Sequence, residues 1–243
     1  MPALVAFEDQ TEELIVRLPA APFEVVLDAL VAAAREVCER AEVWRFVWLD
    51  RVDAQATITF ADGGPTYGSF PPTGDASVDY EVAAIADVHT VRAVRTRDAE
   101  SVLLQQIGKE ALFQQYPQVA LAFGRIDGEP LYYYIDEDNA GPPLLYFVPC
   151  PEKPGGMQVR MELTLKPKLS AAVMDAVVWD KIRDVVLHGV MQRMLTIQDV
   201  AWTDLELASY HARQFVFRLS QLQHADNLGI GKRPLMVTPR PWA

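Results

Sequence analysis

Cysteine is scarce in this sequence, in which Cys38 and Cys150 are the two thiols among 243 residues. Residues so far apart in the chain supply neither a disulfide framework nor the clustered ligands of a zinc site. We therefore expect both thiols to be reduced, as they are in a cytosol.

Long apolar runs are lacking too. No stretch approaches the roughly 18 uncharged residues that a membrane-spanning helix needs. The N-terminus also lacks the basic segment, apolar stretch and cleavage site of a secretory signal. The sequence therefore predicts a soluble protein that is not secreted by the standard route and does not enter a membrane.

Basic residues are outnumbered, because 22 of them face 33 acidic residues and the formal net charge is −11. Proteins that bind DNA tightly need concentrated Lys and Arg for phosphate contacts, so this balance argues against such binding. Solubility is the simpler explanation of the acidic surface. The same surface also suits a protein past which DNA moves without adhering.

Catalytic and metal-binding patterns are missing as well. His188, His211 and His224 are candidate ligands, but no two of them form the i, i+4 pair of a helical zinc site and no cysteine lies nearby. Surface or hydrogen-bonded histidines are the favoured interpretation. The segment from Gly229 to Lys232 continues without the Ser/Thr and helix of a phosphate-binding loop. We expect no catalytic residue, no cofactor and no metal, and thus no enzyme.

The composition is that of an ordinary globular protein, with half of the residues hydrophobic and 23% charged. Periodicity predicts helices at about 22–41, 171–197 and 203–224, and a β-rich insertion at about 43–166. Residues 1–18 are predicted to form a loose arm with a possible strand at its end. The predicted fold class is α+β: a discontinuous helical bundle (one N-terminal and two C-terminal helices) with a large inserted antiparallel β-rich region and an extended C-terminal arm.

Three local patterns carry this assignment. The segment from Met157 to Leu165 alternates apolar and polar residues, as a half-buried strand does. Thr203 and Glu206 form a capping-box pattern at the start of the last helix. In the first helix, apolar residues recur three and four positions apart, at Phe23, Leu27, Leu30, Ala34 and Val37.

The C-terminal residues 229–243 are predicted to form an arm that follows a single domain at 1–228. This arm contains several Gly and Pro residues and no acidic residue, and it has more apolar side chains than a solvated linker normally carries. We interpret it as a segment that docks on a partner, with the candidate interface residues Ile230, Lys232, Arg233, Leu235, Val237, Arg240 and Trp242.

Clustered aromatic residues allow a different interpretation. Trp44 and Trp48, and the run from Tyr132 to Tyr134, are suited to a platform that binds carbohydrate, but strands are rich in such residues in any case. Core packing or a subunit contact is favoured. A domain that binds carbohydrate or another small ligand is the alternative from a different functional class.

Several short motifs follow one another between about Pro19 and Leu222. They lie at 32–40, 43–45, 116–117, 128–133, 147–151, 163–167 and 205–215, and read AAAREVCER, VWR, YP, GEPLYY, FVPCP, LTLKP and LELASYHARQF. In this order they resemble the head-to-tail adaptors of tailed bacteriophages, a neck family similar to tail tubular protein A and to siphophage connector proteins. The aromatic residue that the family has before the cysteine of the first helix is Val37 here.

The resemblance implies a structural virion protein of the neck, assembled in the bacterial host cytoplasm. It implies a homo-oligomer, a dodecameric ring beneath the portal protein, with a downstream tail or nozzle protein as the next partner. Packaged DNA would pass through the ring without specific binding, and no residue would be catalytic. A tail terminator or head-closure protein is the alternative among virion proteins.

Overall fold

A computed structural model of the protein describes residues 3–52, 57–59, 85–96, 102–115, 129–136, 144–149 and 157–227. In chain order the elements of this part are β1 (Leu4–Ala6), α1 (Phe7–Arg17), α2 (Phe23–Ala41), β2 (Arg45–Val52), β3 (Thr57–Thr59), β4 (Ala86–Thr96), β5 (Leu103–Gln106), α3 (Lys109–Gln115), β6 (Tyr132–Asp136), β7 (Leu144–Val148), β8 (Met157–Pro167), β9 (Val173–Asp175), α4 (Ala176–Leu195) and α5 (Leu205–Asn227). The predicted α+β class is confirmed.

The chain divides into two compact units. The β-rich unit contains Met1–Ala3 and Trp44–Val173, and the helical unit contains Leu4–Val43 and Met174–Ala243. The helical unit is thus built from both ends of the sequence. The predicted arm at 229–243, Cys150 and the side chain of Trp48 lie outside the described residues.

Helix α2 occupies nearly the range that periodicity predicts. It starts after Pro22, whose backbone is extended. Proline suits a helix start because it has no backbone N–H that would be left without a hydrogen-bond partner there. It ends where Glu42 takes a left-handed conformation with φ 50° and donates its backbone N–H to the Cys38 carbonyl at 2.9 Å. Its buried residues are Val26, Leu30, Val31, Ala33, Ala34, Val37, Cys38 and Ala41.

The N-terminal segment is not the predicted loose arm, because residues 7–17 form helix α1. The Phe7 ring meets Trp179 of α4 edge-on, with ring centroids 6.0 Å apart. The predicted strand rested on three adjacent apolar residues, of which Leu14 alone is buried. The buried residues of α1 recur once per helical turn, at Phe7, Thr11 and Leu14.

The helix predicted at 171–197 begins later than expected. Residues 173–175 form β9, which pairs with β1 in a two-stranded sheet. Helix α4 then starts at Ala176, because the Asp175 carboxylate accepts hydrogen bonds from the N–H groups of Val177 and Val178 at 2.9 and 3.1 Å. The prediction is therefore wrong at residues 171–175.

The last helix also has a different start from the predicted one. Asp204 caps α5, since its carboxylate accepts a hydrogen bond from the Leu207 N–H at 2.9 Å. The hydroxyl of Thr203, the predicted cap, instead donates to the Val200 carbonyl at 2.9 Å, within the turn between α4 and α5. The capping-box prediction is wrong, and α5 occupies 205–227 rather than 203–224.

Gly189 is the point where three helices of the helical unit meet. It lies in α4, and a Cβ added to it would be 3.0 and 3.1 Å from two ring atoms of Phe215 in α5. The same Cβ would be 3.3 Å from the Cβ of Ala33 in α2. Even a methyl group at this position would require Phe215 and Ala33 to shift by a few tenths of an ångström, so the packing favours a glycine inside this long helix.

In the described part of the β-rich unit, seven strands form one sheet in the order β2-β8-β4-β5-β6-β7-β3. The predicted strand from Met157 is confirmed as β8, which pairs antiparallel with β2 and β4. The hydroxyls of Thr90 and Thr164 share a hydrogen bond of 2.7 Å across the pairing of β4 and β8. Four alternating apolar residues of β8 are buried, namely Val159, Met161, Leu163 and Leu165.

One pairing departs from the predicted antiparallel insertion. Strands β5 and β6 run parallel, with Gln105 opposite Tyr132. Parallel neighbours need a crossover connection, and between these two strands the chain passes through helix α3. Leu112 of α3 is buried against Tyr134 and Val148 of the sheet. The insertion is therefore a mixed sheet with its own small helix.

Candidate interaction surface

Helix α5 has two sides of opposite character. Its inward residues Ala208, Phe215 and Leu219 are buried. Three large apolar residues on another side are exposed, and we call them the outer face of α5: Leu207, Tyr210 and Phe217, at 40, 51 and 59% exposure. Their spacings of three and seven residues place them along one side of the helix.

The composition of the outer face is typical of a protein contact. A single exposed apolar residue is ordinary, but aromatic residues aligned on a helix surface are of the type that concentrates binding energy in interfaces. Glu206, Arg213 and Gln221 beside them are also exposed. An apolar centre with a polar rim is the usual anatomy of a protein interface.

The structure brings together two of the three histidines that were considered as metal ligands. His188 of α4 and His211 of α5 have their Nδ1 atoms 2.8 Å apart. His224 is exposed near the end of α5. Among the described residues, no group of three or more His, Cys, Asp or Glu side chains is arranged to hold a metal ion.

The two imidazoles have shifted acidities. Burial is the main cause that lowers the pKa of both His188 and His211, and the positive charge of Arg17 lowers both further. Both rings therefore favour the neutral form, in which one Nδ1 can donate a hydrogen bond to the other. The prediction of hydrogen-bonded histidines is confirmed for this pair.

The aromatic residues considered for carbohydrate binding are largely internal. Trp44, Tyr133 and Tyr134 are buried. Tyr134 stacks on Tyr146 with ring centroids 4.7 Å apart and an interplanar angle of 6°, and burial raises the pKa of Tyr133. Rings packed in this way present no open platform to a sugar, so core packing is the confirmed interpretation for these three.

The described thiol is unsuited to nucleophilic chemistry. Cys38 is buried in α2, and burial, followed by the negative charge of Glu39, raises the pKa of its thiol far above the ordinary value. A neutral thiol in an apolar core is inert.

In the part of the chain that the structure describes, no helix combines the length and the apolar character that a membrane span needs.

The interface residues predicted from the sequence all belong to the arm outside the described residues, namely Ile230, Lys232, Arg233, Leu235, Val237, Arg240 and Trp242. The outer face of α5 was not predicted. The sequence does indicate it: Tyr210 and Phe217 fall outside the apolar stripe of their helix, at positions that usually carry polar residues.

Comparison with known proteins gives one positive result. No curated protein matches the chain. The pattern of the SU10 adaptor protein family matches residues 6–237, which include the helices of both chain ends and the sheet between them. This match spans most of the sequence, and it identifies the protein as a member of the SU10 adaptor protein family, a family of phage head-tail adaptors.

Proposed function

We propose that the protein is a subunit of a neck ring that joins the portal to the tail, and that it has no enzymatic activity. The family match over residues 6–237 is the observation that carries the proposal. A dodecameric ring, contacts with the portal and with a downstream tail or nozzle protein, and assembly in the host cytoplasm follow from the resemblance to head-to-tail adaptors.

A closed ring needs two different surfaces on each subunit, because its contacts are heterologous. We assign one of these surfaces to the outer face of α5, with a neighbouring copy of the chain as its occupant. The exposure of Tyr210 and Phe217 supports this assignment, since aromatic residues that become buried dominate the energy of many interfaces.

The mass of the assembly tests the proposed ring. We expect the protein alone to form particles of about twelve times the 27.1 kDa subunit mass, or, when portal protein is present, to add about that mass to the portal particle. Light scattering after size-exclusion chromatography measures this mass, and negative-stain images show whether the particles are rings. The double substitution Tyr210→Ser and Phe217→Ser should reduce assembly at least about tenfold, because truncating one such residue commonly costs about 2 kcal/mol.

Val16→Ser is the control, since Val16 is 82% exposed and belongs to a different helix, α1. This variant should assemble like the wild type. A wild-type subunit that stays monomeric both alone and in the presence of portal protein contradicts the ring. If that monomer binds oligosaccharides, the carbohydrate-binding alternative takes its place.

The C-terminal arm at 229–243 is proposed as a second contact, with a neighbouring subunit or another neck protein. Its Gly and Pro residues disfavour helix, so a partner must offset the cost of ordering it. Lys232, Arg233 and Arg240 are positively charged, whereas the chain as a whole has a net charge of −11. These side chains favour docking on an acidic surface. Among its apolar residues, Trp242 is of the type most often found at the centre of an interface.

Deletion of the residues after Leu228 should abolish the joining of heads to tails in an in-vitro complementation assay, because the anchors of the arm are lost. The thermal midpoint of the free subunit should change little. Trp242→Ala should reproduce most of the defect. A truncated protein that unfolds, or that joins heads to tails as well as the full chain does, shows that the arm belongs to the core or is dispensable.

Passage of DNA through the ring requires a surface that does not hold it. The net charge of −11 supports this property, because acidic side chains repel the phosphate backbone. Gel-shift titration at low salt should therefore show no binding of duplex DNA by the isolated protein. Tight binding that weakens steeply with added salt would count against a neutral or negative channel.

A further inference from the structure

The histidine pair forms a direct link between the last two helices of the helical unit. His188 is in α4 and His211 is in α5, with their Nδ1 atoms 2.8 Å apart and their ring centroids 5.0 Å apart. Tyr210 meets both rings edge-on, at centroid distances of 6.5 and 5.3 Å. The only hydrogen bond that fits two facing Nδ1 atoms has one of them protonated and the other not.

The charged groups around the pair oppose its protonation. Arg17 of α1 lowers the pKa of both imidazoles, and Arg218 of α5 lowers that of His188. Asp184 of α4 acts in the opposite direction on His188, but its carboxylate is 2.8 Å from the guanidinium of Arg218.

An acidic residue of α1 is also engaged in ion pairs. Glu13 of α1 forms ion pairs with Arg17, at 3.6 Å, and with Arg183 of α4. Burial is the main influence that lowers the pKa of the two rings, and Arg17 acts in the same direction on both.

We propose that His188 and His211 form a proton-sensitive latch between α4 and α5. The latch is closed while at least one of the two rings is neutral, and it opens when both carry an extra proton. The first proton leaves one Nδ1 free to accept, so the hydrogen bond survives. The second makes both Nδ1 atoms donors, and two like charges then face each other at the same distance.

The direction of the pH effect follows from the two lowered pKa values. Well above the ordinary histidine pKa of about 6.5, both rings are neutral in the folded and the unfolded chain, and the latch contributes its full stability. As the pH falls below that value, the unfolded chain binds protons more readily than the folded one, so the stability of the fold decreases. Acid thus loosens the helix that carries the outer face.

Thermal unfolding of the free subunit between pH 7.5 and 5.0 tests the latch. His188→Asn and His211→Asn keep a side-chain polar atom near the position of Nδ1 but do not titrate in this range. We expect the midpoint of the wild type to fall by at least about 2 °C more than that of either variant. His224→Asn is the matched control, because His224 is an exposed histidine of α5, the helix that carries His211. The unfolding midpoint of this control should fall as much as that of the wild type.

Nitrogen NMR of the histidine rings in the wild-type subunit provides the second measurement, which stands even if a variant fails to fold. One of the two rings should carry its proton on Nδ1 at neutral pH, and both should titrate below the ordinary value. Equal midpoint changes in all variants, or two rings protonated on Nε2 that titrate near 6.5, would overturn the proposal. Both measurements use the free subunit, so their outcome is independent of the proposed ring.

Discussion

The helical unit depends on the close approach of three helices that the chain supplies from its two ends. Helix α2 precedes the β-rich unit, whereas α4 and α5 follow it. Gly189 permits this approach, because its missing side chain leaves room for the ring of Phe215 and for Ala33. Protein interiors are close-packed, so adding or removing one methyl group at such a point affects the packing of every helix that meets there.

Polar contacts around this point orient the helices more than they stabilise them. Arg193 of α4 is 2.6 Å from Glu36 of α2, and Arg218 of α5 is 2.8 Å from Asp184 of α4. All four side chains are a third or more exposed, and exposed ion pairs of this kind contribute little. Apolar packing therefore stabilises the unit, while the ion pair of Arg218 with Asp184 and the histidine pair favour one alignment of α5 on α4. That alignment decides which residues form its outer face.

Periodicity predicted the elements whose burial repeats regularly, such as α2 and β8, and order along the chain was enough for the family resemblance. Short or locally ambiguous segments were missed. Helix α1 has one buried residue per turn, and Asp204 caps α5 although Thr203 beside it looked equally suitable. The parallel pairing of β5 with β6 depends on contacts distant in sequence. So does the histidine pair, because no spacing within one helix can bring His188 to His211.

Thermal unfolding of Gly189→Val tests the packing on which the helical unit depends. The added side chain would meet Phe215 and Ala33 at once, and overpacking of this kind costs about 1–3 kcal/mol. We expect a midpoint at least about 4 °C below that of the wild type, with a change of less than about 2 °C for Ser220→Val at an exposed position of α5. A Gly189→Val protein that unfolds at the wild-type temperature would contradict the close meeting of the three helices.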